Sequence, residues 1–304
     1  MKNFKYFILF LSLITIFEIT NSKDANAVPI CETDANSEII YARTPATGCI
    51  AVGAATNFEI TVKEIYLCTT APVGPTTSAP TDLSNCENIL TNASATATSF
   101  AAGEDVNLPG TFKRPSDGTY SHAYVKFDNV VGITAAMKFD TIINGGGSGR
   151  GKFCRTVVNS SPAIQKSSQG HDLSVCATTE TPPGQLTETI KQFGDADGTF
   201  RACAINGSPT AAVSGACGVA STAGAYLVDA NGKLATASEN VSTAVDDFHG
   251  ILAFGSPQKV TPDTTAFTVR FDVTNGVAAA RTTVGGGASA YIGIGPFDMT
   301  ISVE

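Results

Sequence analysis

The sequence contains no tryptophan and three histidines, and charged residues make up only 15% of its 304 residues. Lysine and arginine are scattered rather than clustered, and the formal net charge is -8. A chain of this charge lacks the basic surface that binds phosphate backbones, so nucleic acid is not expected as a partner. Without tryptophan, stacking against sugar rings would depend on tyrosine, of which there are 7.

The sequence also lacks an apolar run of the roughly 20 residues that a membrane-spanning helix requires. Its longest mainly apolar run, residues 6–17, follows Lys2 and Lys5 and precedes a small-residue motif that ends at Ala27. These three parts predict a signal peptide over residues 1–27, cleaved after Ala27. Export would make the mature protein secreted: extracellular, on the cell surface or periplasmic, with no further membrane span.

All eight cysteines follow the predicted leader, and an even number of cysteines in an exported chain predicts disulfides. The sequence has no C-x-x-C motif, so zinc ligation by cysteine is not expected. Spacing does not determine the connectivity, but the simplest arrangement pairs sequence neighbours. The resulting pairs are Cys31–Cys49, Cys68–Cys86, Cys154–Cys176 and Cys203–Cys217.

The clearest strand pattern in the first half of the chain covers residues 57–68. Apolar and polar residues alternate there with the period of two that is typical of a strand with one buried face. The alternation changes phase at Lys63 and Glu64, which predicts a β-bulge at that point. The apolar positions are Phe58, Ile60, Val62, Ile65 and Leu67.

A second alternating segment, residues 119–129, separates an apolar side from a more polar one. Tyr120, His122 and Tyr124 share the polar side, so they are candidates for an exposed ligand-binding face. Exposed aromatic rings are a common means of binding carbohydrate. Tyrosine at the margin of a core gives the same pattern, so this signal is weak.

Short alternating segments recur along the chain, separated by Gly, Pro, Asn and Asp turns, and no segment after the leader has a helical stripe. The pattern predicts an all-β fold, an antiparallel β-sandwich or jelly roll, disulfide-stapled and with little helix. We expect a single domain over residues 28–304, with an elaborated Ser/Thr/Gly/Ala-rich middle at 159–240. Two β domains, 28–160 and 161–304, are the alternative.

The last residues of the chain form a regular amphipathic strand pattern. Such a strand could add to the sheet of a neighbouring subunit and build a fibre through main-chain hydrogen bonds. Pairing within its own chain is the ordinary alternative. The inward-facing candidates for strand addition are Phe297, Met299, Ile301 and Val303.

Motifs that would identify an enzyme are missing. His122, His171 and His249 form no H-E-x-x-H, and the sequence has no G-x-S-x-G. The segment 195–198 faintly resembles a calcium loop but lacks its later oxygen ligands, so a turn is the better interpretation. No cofactor is expected, and calcium has no clear support. The N-x-S sequons, which matter only in a host that glycosylates, are Asn92, Asn159, Asn206 and Asn240.

These features predict a secreted, non-catalytic structural or adhesive protein of the cell surface or an extracellular assembly. It would act through self-association or a surface partner, with fibre formation by strand addition as one route. The first alternative is a secreted β module that binds a carbohydrate or another ligand. The second alternative is a secreted hydrolase whose active site is spread over several loops.

Overall fold

The computed structural model describes residues 33, 37–40, 51–102, 104, 106–145, 148–158, 174–190, 223–235, 245–284, 287–295 and 297–304. Among these residues the chain forms sixteen strands and no helix, which confirms the predicted all-β class. None of them belongs to a helix long and apolar enough to cross a bilayer. Several predictions lie outside the described residues: the signal peptide, Cys31, Cys49, Cys203, Cys217, His171, the turn at 195–198, and the sequons Asn159, Asn206 and Asn240.

The strands in chain order are β1 (Ala51–Gly53), β2 (Asn57–Cys68), β3 (Cys86–Thr91), β4 (Thr98–Phe100), β5 (Thr111–Phe112), β6 (Gly118–Thr134), β7 (Ala136–Gly145), β8 (Ser148–Arg155), β9 (Val175–Ala177), β10 (Leu186–Thr189), β11 (Ala223–Val228), β12 (Asp247–Val260), β13 (Phe267–Asp272), β14 (Val277–Val284), β15 (Gly287–Ile294) and β16 (Asp298–Val303).

The larger sheet has eight strands, six of them in the order β11-β12-β6-β2-β3-β5, while β10 also pairs with β6 and β4 with β2. Its centre is the 17-residue strand β6, which pairs along its length with β2 on one side and β12 on the other. Strands from both sides of residue 160, the boundary of the two-domain alternative, therefore pair directly. The domain count itself stays a prediction.

The second sheet has six strands in the order β1-β14-β15-β7-β8-β9. Its β7–β15 and β8–β9 pairs are parallel, and the other pairs in this sheet are antiparallel. Buried side chains of the two sheets form one hydrophobic cluster, with Ile60 and Ile133 from the larger sheet and Phe139 and Ile292 from the smaller. This core between two largely antiparallel sheets matches the predicted sandwich.

Strands β13 to β16 form two nested antiparallel pairs, which we call the ribbon; β13 and β16 make a two-stranded sheet of their own. β14 pairs with β15, and outside that hairpin β13 pairs with β16 in nearly the same register. The two strand pairs meet at the point where Gly295 N–H donates a hydrogen bond to the Gly276 carbonyl at 2.9 Å. A Cβ on Gly295 would lie 2.2 Å from the Asn275 carbonyl oxygen, so this crossing requires glycine.

A cluster of phenylalanine rings packs the ribbon onto the larger sheet. The Phe297 ring lies 5.3 Å from that of Phe58 and 6.0 Å from that of Phe127, measured between ring centroids. Phe127 in turn stacks on Phe248 at 4.5 Å, and Phe100 stacks on Phe271 at 5.0 Å. Such aromatic pairs add to the stabilisation that comes from burying their surface.

The predicted bulge in β2 is confirmed. Val62 lies opposite Phe127 and Glu64 lies opposite Lys126, so one residue of β2, Lys63, has no counterpart on β6. Burial changes phase at the same point, since Val62 and Ile65 are both inside. The extra residue shifts the later half of the strand by one position, which returns its apolar side chains to the core.

Two of the predicted disulfides, Cys68–Cys86 and Cys154–Cys176, are present. Cys68 and Cys86 lie opposite each other in the β2–β3 pair, and Cys154 and Cys176 lie opposite each other between β8 and β9. Disulfides of this kind belong to oxidising compartments. Each sheet therefore carries one covalent link between neighbouring strands.

Candidate functional site

The outer face of the larger sheet carries a row of polar side chains that contact one another. We call this group the outer-face network. Because side chains alternate along a strand, residues from β2, β6 and β12 that lie opposite one another share this face. The network consists of Lys63, Glu64, Tyr66, Tyr124, Lys126, Asp128, Asp247 and His249.

The first part of the network joins three strands through one ammonium group. Lys63 on β2 pairs with Asp247 on β12, and its Nζ lies 3.5 Å from Asp128 Oδ2 on the intervening strand β6. Burial lowers the pKa of Lys63, but the hydrogen bond and charge of Asp247 outweigh it, so the pKa is raised overall. Burial also raises the pKa of Asp247, but the nearby His249 ring and the bound Lys63 ammonium outweigh it, so the pKa is lowered overall. The ammonium group is therefore held in its charged form.

The second part of the network consists of Glu64 and Tyr66 on β2 and Lys126 on β6. Lys126 Nζ contacts Glu64 Oε2 at 2.5 Å, and the Tyr66 hydroxyl donates to the same carboxylate oxygen at 2.8 Å. Lys126 Nζ also lies 5.6 Å from the centre of the Tyr66 ring. These contacts link β2 to β6, and the opposite charges of Lys126 and Glu64 neutralise each other.

His249 is almost completely buried, with 3% of its surface exposed. Its Nδ1 lies 2.5 Å from the Tyr124 hydroxyl, and its Nε2 lies 3.9 Å from Asp247 Oδ2. That separation from Asp247 is too long for a direct hydrogen bond. Burial lowers the pKa of His249 more than Asp247 raises it, so the imidazole is neutral at pH 7.

The loop closed by the Cys68–Cys86 disulfide, residues 71–85, is an ordered structure. Its own backbone makes two bonds, Asp82 N–H to the Val73 carbonyl at 3.0 Å and Thr76 N–H to the Ala79 carbonyl at 2.8 Å. A further bond joins it to the turn after β11, where Leu234 N–H donates to the Thr76 carbonyl at 3.0 Å. The loop is thus anchored to two parts of the larger sheet.

Burial raises the pKa of Tyr124, whose hydroxyl is paired with His249 Nδ1. Among the described residues, the buried side-chain atoms without a hydrogen-bond partner include Thr81 Oγ1, on the loop, and His249 Nε2.

The prediction of an exposed tyrosine face is wrong. Tyr120 and Tyr124 are each 1% exposed, and Tyr120 belongs to the buried hydrophobic core cluster. The Tyr120 hydroxyl bonds the Ser116 carbonyl at 2.8 Å and lies 3.0 Å from Glu87 Oε1, and burial raises its pKa to about 12. His122 is half-buried and its Nδ1 bonds Ser121 Oγ at 2.8 Å. The three residues do not form an open aromatic surface.

The Asn92 sequon has a structural role. The Asn92 side chain is buried, and its amide donates to the carbonyls of Val62 at 3.1 Å and Thr96 at 2.8 Å. Its Oδ1 accepts from Thr96 N–H at 3.2 Å. A glycan on this amide nitrogen would replace one of its two hydrogens and so remove at least one of the donated bonds. The buried side chain of the folded protein is therefore not available as an acceptor.

The final strand pairs within its own chain. β16 lies antiparallel to β13, with Val303 opposite Phe267, and Met299 and Ile301 are buried in the core. Phe297 and Val303 are partly buried and pack against the same core. This is the ordinary alternative given above; addition of the strand to a neighbouring molecule stays a prediction.

No family model matches the chain, and neither a curated protein nor a solved structure resembles it significantly. Function therefore has to be argued from the geometry described above. The sequence does not predict that Lys63 and Asp247 form a pair, because their strands, β2 and β12, both pair with β6 but not with each other. The phase change at Lys63 was the one local signal that pointed to this region.

Proposed function

We propose that the chain is an exported, non-catalytic structural or adhesive protein that works at a cell surface or in an extracellular assembly. The observation that carries the proposal is the outer-face network. Its charged groups bind each other across β2, β6 and β12, as expected of side chains that hold a sheet together.

The geometry around His249 favours this proposal over the hydrolase alternative. A histidine beside a carboxylate is the pairing used in general base catalysis, and His249 does lie near Asp247. However, the ring is 3% exposed, its Nδ1 is occupied by Tyr124, and Asp247 binds Lys63. A substrate could not reach the imidazole without a rearrangement of the groups around it.

The disulfide-bonded loop supports the adhesive part of the proposal. Val73 is 67% exposed on a loop whose backbone is fixed by hydrogen bonds and by the Cys68–Cys86 bridge. A rigid loop with an exposed apolar side chain loses little conformational entropy when it binds a partner. The same observation suits the alternative of a monomeric ligand-binding module.

The test is the association state of the purified, exported protein, measured by light scattering over a wide concentration range and by electron microscopy. Filaments or concentration-dependent particles would support assembly. A double variant, Thr300→Lys with Ser302→Lys, adds charge to exposed positions of β16 and should reduce strand-mediated association. Thr141→Lys, exposed on β7, is the matched control.

The outcomes separate the three functions. A monomer at every concentration that still adheres to cells or matrix, with adhesion lost in Val73→Asp, would replace assembly with the ligand-binding function. Hydrolysis of peptide, ester or glycoside substrates that disappears in His249→Gln would overturn the non-catalytic proposal. Neither result depends on knowing the natural partner in advance.

A further inference from the structure

Lys63, Asp128 and Asp247 form a compact group of one amine and two carboxylates drawn from three adjacent strands. Lys63 Nζ contacts Asp247 Oδ1 and lies 3.5 Å from Asp128 Oδ2. Asp128 and Asp247 lie opposite each other in the β6–β12 pair. The three side chains are 27%, 27% and 16% exposed respectively, so each is largely withdrawn from solvent.

The bulge in β2 explains why the amine reaches this position. Lys63 is the residue without a counterpart on β6, and a bulged residue is directed differently from its regular neighbours. Its side chain therefore extends past β6 to a strand that does not pair with β2. An ordinary cross-strand ion pair, such as Lys126 with Glu64, joins adjacent strands only.

We propose that Lys63 and Asp247 condense into an intramolecular amide, with Asp128 as the proton relay. Asp128 takes a proton from the Lys63 ammonium, and the free amine attacks Cγ of Asp247. The C–N bond forms and the C–O bond to one carboxyl oxygen breaks. Asp128 returns its proton to the departing oxygen, which also keeps a proton from the amine and leaves as water. Ammonium and carboxylate thus become amide and water, with no oxidant or other reagent.

Two physical features favour this reaction at this place. The fold holds the amine against the carboxyl group permanently, which replaces a bimolecular encounter with an intramolecular one. The amide is uncharged, so its formation relieves the desolvation cost of a partly buried ion pair. The neighbouring carboxylates raise the pKa of Lys63, so its amine becomes a nucleophile only after Asp128 has taken a proton from it.

Lys126 provides an internal comparison. It contacts Glu64 as closely as the ion pairs described above, but within the described part of the chain no second carboxylate lies within 4 Å of its amine. With no group to carry the proton, Lys126 is expected to remain a free amine. The proposal thus distinguishes two lysines on the same face of the same sheet.

The test is peptide mapping of the exported protein after reduction, denaturation and trypsin digestion. An amide at Lys63 blocks cleavage there and joins residues 44–113 to residues 234–259, with a mass lower by one water than the sum of the two peptides. Lys63→Arg and Asp247→Ala should abolish the joined peptide, while Lys126→Arg should leave it unchanged. Asp247→Asn should form the same link with loss of ammonia in place of water.

Asp128→Asn separates the relay from the partner, because it keeps the shape of the side chain but cannot carry the proton. It should reduce the joined peptide at least tenfold while the circular dichroism spectrum stays that of the unaltered chain. Complete cleavage after Lys63 and unaltered masses for both peptides would overturn the proposal and leave an ion pair alone. This outcome is independent of the association experiments, so the two proposals can fail separately.

Discussion

Removal of the Cys68–Cys86 disulfide should lower the free energy of unfolding by about 3 kcal/mol. The bridge closes a loop of 18 residues, and in the chain-entropy model a loop of this length restricts the unfolded chain by about that amount. For a domain of this size, about 3 kcal/mol corresponds to a fall in melting temperature of roughly 6–12 °C. Alanine suits both positions, because Cys68 is completely buried and serine would bury an unpaired hydroxyl.

Urea denaturation of the double variant Cys68→Ala with Cys86→Ala measures this loss. Since the chain has no tryptophan, tyrosine fluorescence reports unfolding without interference. The matched control removes Cys154 and Cys176, whose loop of 22 residues is similar in length and should cost nearly the same. A loss below about 1 kcal/mol for the first bridge alone would refute the entropic argument. It would mean that the loop stays ordered by its hydrogen bonds in the unfolded chain.

Three further predictions follow from single residues. Asn92→Ala should lower the free energy of unfolding by about 1–3 kcal/mol, measured by urea denaturation, because it leaves two carbonyls unpaired. Asn85→Ala, at an exposed position of the loop, is its control. Equal losses of stability in the two variants would contradict the assigned role. Gly295→Ala should destabilise the chain strongly, since its Cβ would meet the Asn275 carbonyl, whereas Gly255→Ala meets nothing within 4 Å and should be nearly neutral. Finally, burial lowers the pKa of His249 in the folded state, so the unfolded chain binds more protons below its ordinary pKa of about 6.5. Stability should be full above pH 6.5 and decline as the pH falls below that value. A His249→Gln variant should lose the part of the decline that His249 causes, and an unchanged profile would contradict the assignment.

The features that could be predicted from the sequence depend on a few residues that are close together in the chain. The phase change at Lys63 located the bulge because a strand with one buried face must keep its apolar residues on that face. The pairs Cys68–Cys86 and Cys154–Cys176 followed from short spacing within or between predicted strands. The alternation in β16 likewise marked its buried side, since Met299 and Ile301 are inside.

The features that could not be predicted depend on contacts between distant segments. Tyr120 and Tyr124 share the more polar side of the sequence pattern of β6, and nothing near them in the sequence shows that both are buried. The pairing of β6 with β12 brings Lys63 to Asp247, but strand order in a sheet is not encoded in the periodicity of either strand. The candidate site therefore depends on the strand order of the larger sheet, which the sequence does not show.

The ribbon of strands β13 to β16 has a consequence for the order of folding. All its pairs form between residues close in the chain, whereas β6 and β12 must meet from positions on the order of a hundred residues apart. Closing a short loop costs less entropy than closing a long one, so the ribbon can form first and β12 dock later. Pulse-labelling hydrogen exchange should show protection of β14 and β15 amides before those of β12. Simultaneous protection of both sets would mean that the sandwich forms in one concerted step.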